Sequence, residues 1–299
     1  MNNIKLEEGF IYLSHDDRIT IMKKFPSGNL ISASFNIIKI WDNQLELIDT
    51  ISIKKNIYIG DISIENENSF VICLENNLIQ IYNYKDKKWI CIEEFNGRKN
   101  EIKNKIIISK ITSKIFTSNY TGIIEIYEKK IFNLKYQEVS ILKHDYFLNT
   151  MLLIEDKNIL ISSGETCTIF WNIEVMKLIY EFPNVKCYSK NAIERMNNDT
   201  IVIGDNYKLF FLSLSKLQIL KVIEINDKCY SISNINYLNH NYLVIGCYNQ
   251  EIILFKNYEI IQNIKNAQNN IIYGLLQIND ITIASYSMWT IKLWKIVNK

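Results

Sequence analysis

At 299 residues, with 48% hydrophobic and 22% charged residues, the chain has the balance of a folded protein with a sizeable core, and disordered and fibrous classes are excluded. Its formal charge of +2, from 34 Lys and Arg against 32 Asp and Glu, supplies no global field to draw in nucleic acid or an anionic membrane. No apolar run approaches the roughly 18 residues that span a bilayer, and the start Met1-Asn2-Asn3-Ile4-Lys5 lacks the apolar stretch of a signal peptide. The expected setting is intracellular, cytoplasmic with the nucleus also open.

Taken in chain order, the segment from about Lys5 to Leu13 comes first and has no partner strand of its own. A short apolar strand ending in an aromatic then recurs: IIKIW to Trp41, LIQIY to Tyr82, IIEIY to Tyr127, CTIFW to Trp171, KLFF to Phe211, IILF to Phe255 and TIKLW to Trp294. Successive gaps are 41, 45, 44, 40, 44 and 39 residues. Each strand follows a turn and a second β-rich run, such as NLISAS, NILISS, DTIVIG, YLVIG or ITIAS. Inside the strands the period is 2: Ile38 and Ile40 share one face while Lys39 takes the other, and Ile124 and Ile126 flank Glu125 in the same way. Seven units at this spacing predict an all-β fold, a seven-bladed β-propeller of four-stranded antiparallel blades. The last unit stops within five residues of Trp294 and so lacks an outer strand. The N-terminal strand is expected to complete it and close the ring, making residues 1–299 a single domain with nothing left for a second module.

Only two prolines and nine glycines punctuate the chain, so the turns are expected to rely on Asn and Asp at Asn29, Asn76-Asn77, Asn197-Asn198-Asp199, Asn239 and Asn279-Asp280. The most basic stretch, Arg98 to Lys110, reads as a solvated connection between blades. Six cysteines (Cys73, Cys91, Cys167, Cys187, Cys229 and Cys247) lie apart, with no Cys-x-x-Cys pair. They are expected to be free thiols, mostly packed as small apolar groups, and no metal site is foreseen.

At the level of motifs the chain resembles the WD-repeat family of β-propellers, to which G-protein β-subunits belong. Leu13-Ser14-His15, ITIMKKFPSGNLISAS and IIKIWD together resemble a complete repeat; Leu142-Lys143-His144, NILISS and Trp171-Asn172 resemble a second; TIKLW at Trp294 matches at its end. The resemblance implies that a histidine, a turn aspartate, a strand serine or threonine and the tryptophan form a buried network in each blade. It carries over to His15, Ser32 and Trp41 in the first unit, to His144, Ser162 and Trp171 in the fourth, and to Trp294 in the last. The turn aspartate is missing, with Asn36 and Thr166 near its place. The network is therefore expected to be partial, and Tyr or Phe at the other strand ends to keep a packing role.

Catalytic chemistry has little raw material. His15 and His144 are absorbed by the repeat pattern, and His240, in LNHNY, reads as an exposed turn residue. Phosphate-loop, dinucleotide and nucleophile-elbow motifs are missing. The carboxylate pairs Glu7-Glu8, Asp16-Asp17 and Glu93-Glu94 are sequence neighbours, which on a strand point to opposite faces. No enzyme activity and no cofactor are expected.

In the WD-repeat family the rim where each innermost strand begins is the usual binding face. The resemblance places Arg18, Tyr58, Phe147, Tyr188, Tyr230 and Tyr273 there, and aromatic and arginine side chains are the types that anchor interfaces. With 18 tyrosines and 13 phenylalanines in the chain, composition alone also accounts for such a set, so both readings stand. The expected function is a non-catalytic scaffold or adaptor that binds protein or peptide partners, a monomeric ring within a larger complex. The alternatives are a propeller enzyme with a site at the central channel and an RNA-binding propeller subunit, the latter disfavoured by the near-zero net charge.

Overall fold

The computed structural model describes residues 4–13, 15–54, 56–98, 102–130, 134–144 and 147–298. The chain starts with β1 (Ile4–Leu13) and continues through blade 1, which holds β2 (Ile19–Lys24), β3 (Leu30–Ser34), β4 (Ile37–Trp41) and β5 (Leu47–Ser52). Blade 2 holds β6 (Ile59–Asn66), β7 (Ser69–Leu74), β8 (Leu78–Lys85) and β9 (Lys88–Asn96); blade 3 holds β10 (Lys103–Ile108), β11 (Ile115–Asn119), β12 (Ile123–Lys129) and β13 (Tyr136–Lys143). Blade 4 holds β14 (Leu148–Ile154), β15 (Ile159–Gly164), β16 (Thr168–Asn172) and β17 (Lys177–Phe182); blade 5 holds β18 (Ile193–Arg195), β19 (Thr200–Gly204), β20 (Lys208–Ser213) and β21 (Gln218–Glu224). Blade 6 holds β22 (Cys229–Tyr237), β23 (His240–Cys247), β24 (Ile252–Lys256) and β25 (Glu259–Ile264), and β26 (Gly274–Asn279), β27 (Thr282–Tyr286) and β28 (Thr290–Asn298) follow.

These strands pair into seven four-stranded antiparallel sheets, six in sequence order and the seventh in the order β26, β27, β28, β1. The chain is a seven-bladed β-propeller. As expected, the N-terminal strand completes the last blade: β1 runs antiparallel to β28 from Ile4 opposite Asn298 to Leu13 opposite Thr290, with a register shift between Glu8 and Ile11. Ile4 and Leu6 are buried in one cluster with Trp294 and Ile296. Gln262 on β25 clamps the strand from blade 6, its Oε1 accepting from Leu6 N at 2.7 Å and its Nε2 donating to Leu6 O at 3.0 Å.

Contacts divide the propeller into two compact units, residues 1–22 with 187–299 and residues 23–186. Within each, the core lies between blades. In the second unit one cluster joins Val71, Cys73 and Ile81 of blade 2 to Ile106, Ile115 and Tyr127 of blade 3, and another joins Phe116, Ile124 and Ile126 to Met151, Leu160 and Trp171 of blade 4. The second strands are therefore buried along their whole length, as in β3, β11, β15 and β19, while an outer strand such as β21 is exposed along most of it. Inner strands are also cross-linked by polar groups: Asp61 Oδ2 and Ser63 Oγ on β6 accept from the backbone of Ile106 and Ile108 on β10 at 3.3 and 3.0 Å, and Asn104 Nδ2 donates to Leu148 O on β14 at 2.5 Å.

The basic stretch from Arg98 to Lys110 corrects the sequence reading. Apart from residues 99–101, which lie outside the described residues, its centre is an inner strand, β10, rather than a solvated connection. Lys103, Asn104 and Lys105 are all buried. Lys103 is paired with the fully buried Glu125, which also accepts from the Tyr127 hydroxyl and, at 3.4 Å, from Arg98 N; Lys105 lies 3.4 Å from Asp61. Two buried lysines are tolerated because each meets a buried carboxylate. Burial, followed by the Glu125 charge, pushes the Tyr127 phenol well above its ordinary range.

Turn chemistry is broader than expected. Asn77 and Asn239 have positive φ, and so do Phe35, Leu45, Met176, Leu217, Leu238 and Tyr258. With so few glycines, bulky side chains occupy left-handed positions, held by neighbouring turns. Asp42 Oδ1 accepts from Gln44 N and Glu46 N at 2.9 and 2.8 Å around Leu45, and Asn172 Oδ1 accepts from Glu174 N and Val175 N ahead of Met176. Five of the cysteines are buried and Cys91 is exposed.

Candidate interaction surface at the inner-strand ends of the blades

The repeat residues form hydrogen-bonded anchors between the second and third strands. Trp41 Nε1 donates to Ser32 Oγ at 2.8 Å in blade 1. In blade 4, Trp171 Nε1 donates to Ser162 Oγ at 2.7 Å, and His144 Nδ1 lies 2.9 Å from the same oxygen. Trp294 Nε1 in the last blade donates to Ser285 Oγ at 2.8 Å, which also receives Gln268 Nε2 at 2.7 Å. Gln268 thus stands where blade 4 has His144. It is a residue the motif search missed, yet its spacing was legible: 17 residues before the serine, against 18 for His144. His15 is buried, and Ser14 of the same motif lies outside the described residues. At the missing aspartate positions Asn36 Nδ2 donates to Ile53 O at 3.1 Å, and Thr166 contacts Cys167, whose Sγ is 3.7 Å from His144 Nε2.

Anchoring these strands fixes the ends where the inner strands begin. Antiparallel order places the turn between the second and third strands at that same end. In the unit of residues 1–22 and 187–299, three of the residues singled out in the sequence come together. The Arg18 guanidinium lies 5.2 Å from the Tyr273 ring centroid. Tyr273 meets Tyr230 edge-on at 6.2 Å, and Tyr230 meets Tyr248 at 5.7 Å. Lys228 Nζ caps the row 5.9 Å from the Tyr248 ring.

The backbone beneath is held by two side chains, Asn191 Nδ2 donating to Tyr273 O at 2.8 Å and Ser189 Oγ to Tyr230 O at 2.5 Å, and by the backbone bond from Tyr248 N to Lys228 O at 3.0 Å. Burial pushes the Tyr230 phenol up, with Tyr273 and Tyr248 adding to the shift and Arg18 opposing it. The row has a guanidinium at one end and an amino group at the other. Tyr188 is exposed five residues before β18.

In the unit of residues 23–186, Tyr58 directly precedes β6 and meets the Phe35 ring edge-on at 4.1 Å. Phe147 directly precedes β14 and is exposed, its carbonyl accepting from Glu165 N at 3.1 Å.

Sequence reasoning missed the other half of this surface. Tyr120, Tyr207, Tyr248 and Trp289 sit in turns between second and third strands and are exposed. Among the described residues ten Tyr, Phe and Trp side chains are exposed, and seven of them (these four with Tyr58, Phe147 and Tyr188) lie at the inner-strand-start ends of their blades. The remaining three, Phe10, Tyr84 and Tyr180, are on β1, β8 and β17. The available signal was an aromatic one to four residues ahead of the third strands of blades 3, 5, 6 and 7, as in Asn119-Tyr120-Thr121-Gly122 and Met288-Trp289-Thr290.

The paired carboxylates diverge as their strand neighbours should: Glu7 meets Lys5 and Glu8 meets Lys292, each at 2.7 Å, while Glu93 accepts from Tyr136 N and Glu94 from Gln80 Nε2. His240 is exposed at the start of β23. Among the described residues no group of His, Cys, Asp and Glu is placed to hold a metal ion, and no helix is long and apolar enough to cross a membrane. Compared with known proteins, the chain matches no family model and no curated relative.

Proposed function

We propose that this propeller is of the WD-repeat type and serves as a non-catalytic scaffold that holds protein or peptide partners at the inner-strand-start ends of its blades. The observation that carries the reading is the concentration there of seven of the ten aromatic side chains that are exposed among the described residues. Such side chains bury large area for little rotamer entropy, and arginine and lysine at the ends of the Tyr273–Tyr230–Tyr248 row add charge-assisted contacts. The WD-repeat assignment draws on the Trp-to-Ser bonds of blades 1, 4 and 7. Burial is the main cause that raises the Tyr82, Tyr127 and Tyr136 phenols and the Cys229 and Cys247 thiols, as tight packing does.

The test uses a partner recovered by affinity purification of the full chain. Tyr248→Ala with Trp289→Ala removes two half-exposed rings and is expected to weaken capture at least about tenfold, with the melting temperature unchanged. Tyr180→Ala, on an outer strand, is expected to leave capture intact. Retained binding by the double variant would place the site elsewhere.

A further inference from the structure

Two apolar side chains stand out at one tip of blade 3, the end opposite Tyr120. The turn from Ser109 to Lys114 joins β10 to β11 and that from Lys130 to Lys135 joins β12 to β13, so antiparallel order puts both at this end. Ile111 in the first turn is 73% exposed and Leu134 in the second 71%; among the described residues only Phe10 of the large hydrophobics is more exposed. Hydrogen bonds hold the turns in that presentation. Ser109 Oγ accepts from Ile111 N at 3.3 Å and from Thr112 N at 3.0 Å, Ser113 N donates to Ser109 O at 2.9 Å, and Leu134 N donates to Lys130 O at 2.8 Å. Tyr136 ties one turn to the other, its hydroxyl donating to Ser113 O at 2.9 Å.

Lysines flank both side chains: Lys110 precedes Ile111, and Lys130 and Lys135 bracket Leu134, all three exposed. The carboxylates nearby are engaged on the blades. Glu128 pairs with Lys114 at 2.5 Å, Glu155 Oε1 accepts from Lys110 N and Ile111 N at 2.6 and 3.3 Å, and Glu65 Oε1 accepts from Ser113 Oγ at 2.6 Å. The chain's net charge of +2 thus conceals a cationic tip. Apolar side chains ringed by ammonium groups suit a flat anionic interface, where the former enter the boundary of headgroups and acyl chains and the latter reach lipid phosphates. A protein partner would need a pocket for each protruding side chain; a bilayer needs none. We propose that the tip of blade 3 docks on an anionic lipid bilayer, with Ile111 and Leu134 entering the interface and Lys110, Lys130 and Lys135 meeting the headgroups. With two apolar side chains inserted, the attachment is reversible, and the Tyr120 end of the blade faces away from the lipid.

Co-sedimentation of the full chain with vesicles tests it, using phosphatidylcholine alone and phosphatidylcholine with phosphatidylserine as the minor lipid. Saturable binding to the mixed vesicles is expected, at least about tenfold weaker without phosphatidylserine and weakening as salt rises. Ile111→Ser with Leu134→Asn is expected to weaken it at least about tenfold with the melting temperature unchanged, because both side chains are exposed and asparagine suits the positive φ of position 134. Lys110→Gln with Lys130→Gln and Lys135→Gln supplies an independent reading and is expected to weaken binding as much. Equal binding to both vesicle types, or unaltered binding by either folded variant, would overturn the proposal. So would absence of vesicle binding, and capture of polyglutamate in its stead would assign the tip to an acidic protein. The Tyr248→Ala, Trp289→Ala variant is expected to bind vesicles normally, which separates this tip from the scaffold surface.

Discussion

A serine hydroxyl recurs as the hub of the blade anchors. In blade 4 Ser162 Oγ meets both Trp171 Nε1 and His144 Nδ1, all of them buried. Removing the hydroxyl strands two ring groups, each at a cost of about 1–3 kcal/mol. Ser162→Ala is therefore expected to lower stability by about 2–4 kcal/mol in urea unfolding, and a loss below about 1 kcal/mol would show that both rings find water instead. The hub was readable because Ser162 and Trp171 are nine residues apart on paired strands. Gln268 was legible by spacing alone, since a glutamine in place of histidine breaks the motif while keeping the geometry. Lys103 was missed for a different reason: its partner Glu125 lies 22 residues away, and a lysine-rich run looks solvated until that carboxylate is placed.

Among the elements, β1 carries the largest non-local obligation. It pairs with β28 across the length of the chain, burying Ile4 and Leu6 beside Trp294, and it covers an edge that would otherwise be open to association. Leu6→Ala is expected to destabilise the protein by about 2–5 kcal/mol in denaturant unfolding. Deletion of residues 2–13, of which 4–13 form β1, is expected to lower the melting temperature of the whole chain and promote aggregation. Unchanged melting after the deletion would mean that the last blade stands without its outer strand. This closure was legible by counting: a final unit short of a strand and an unpartnered strand at the start.

For the whole molecule, the titration pattern sets an alkaline limit. Burial is the main cause that raises the Cys229 and Cys247 thiols, Cys247 to about 12, and it raises the Tyr82, Tyr127 and Tyr136 phenols as well. A group whose folded pKa lies above its unfolded value favours the native state fully below the unfolded value, and loses that contribution as pH rises toward the folded one. Stability is therefore expected to hold to pH 9.0, the ordinary thiol value, and to fall as thiols and then phenols, ordinarily at 10.0, pass into that window. Melting temperatures from pH 7 to 11 check this, with Tyr127→Phe flattening the decline above pH 10. A flat profile to pH 11 would contradict it.

By itself the sequence determined the blade count, the strand order within blades and the closing strand, because these follow from a regular spacing of aromatic-ended strands and from period-2 alternation, both local properties. It also placed Arg18, Tyr230 and Tyr273 at strand starts without knowing that they touch. Only the tertiary structure decided which residues share an end of a blade, since Tyr207, Tyr248 and Trp289 sit on turns 14, 19 and 15 residues after the inner-strand starts of their blades and come level with those starts only when antiparallel strands fold back. It alone also decided the burial of Lys103 and the enclosure of Asn83 Oδ1, because the groups around a buried polar atom come from other strands, as Glu125, 22 residues on, does for Lys103.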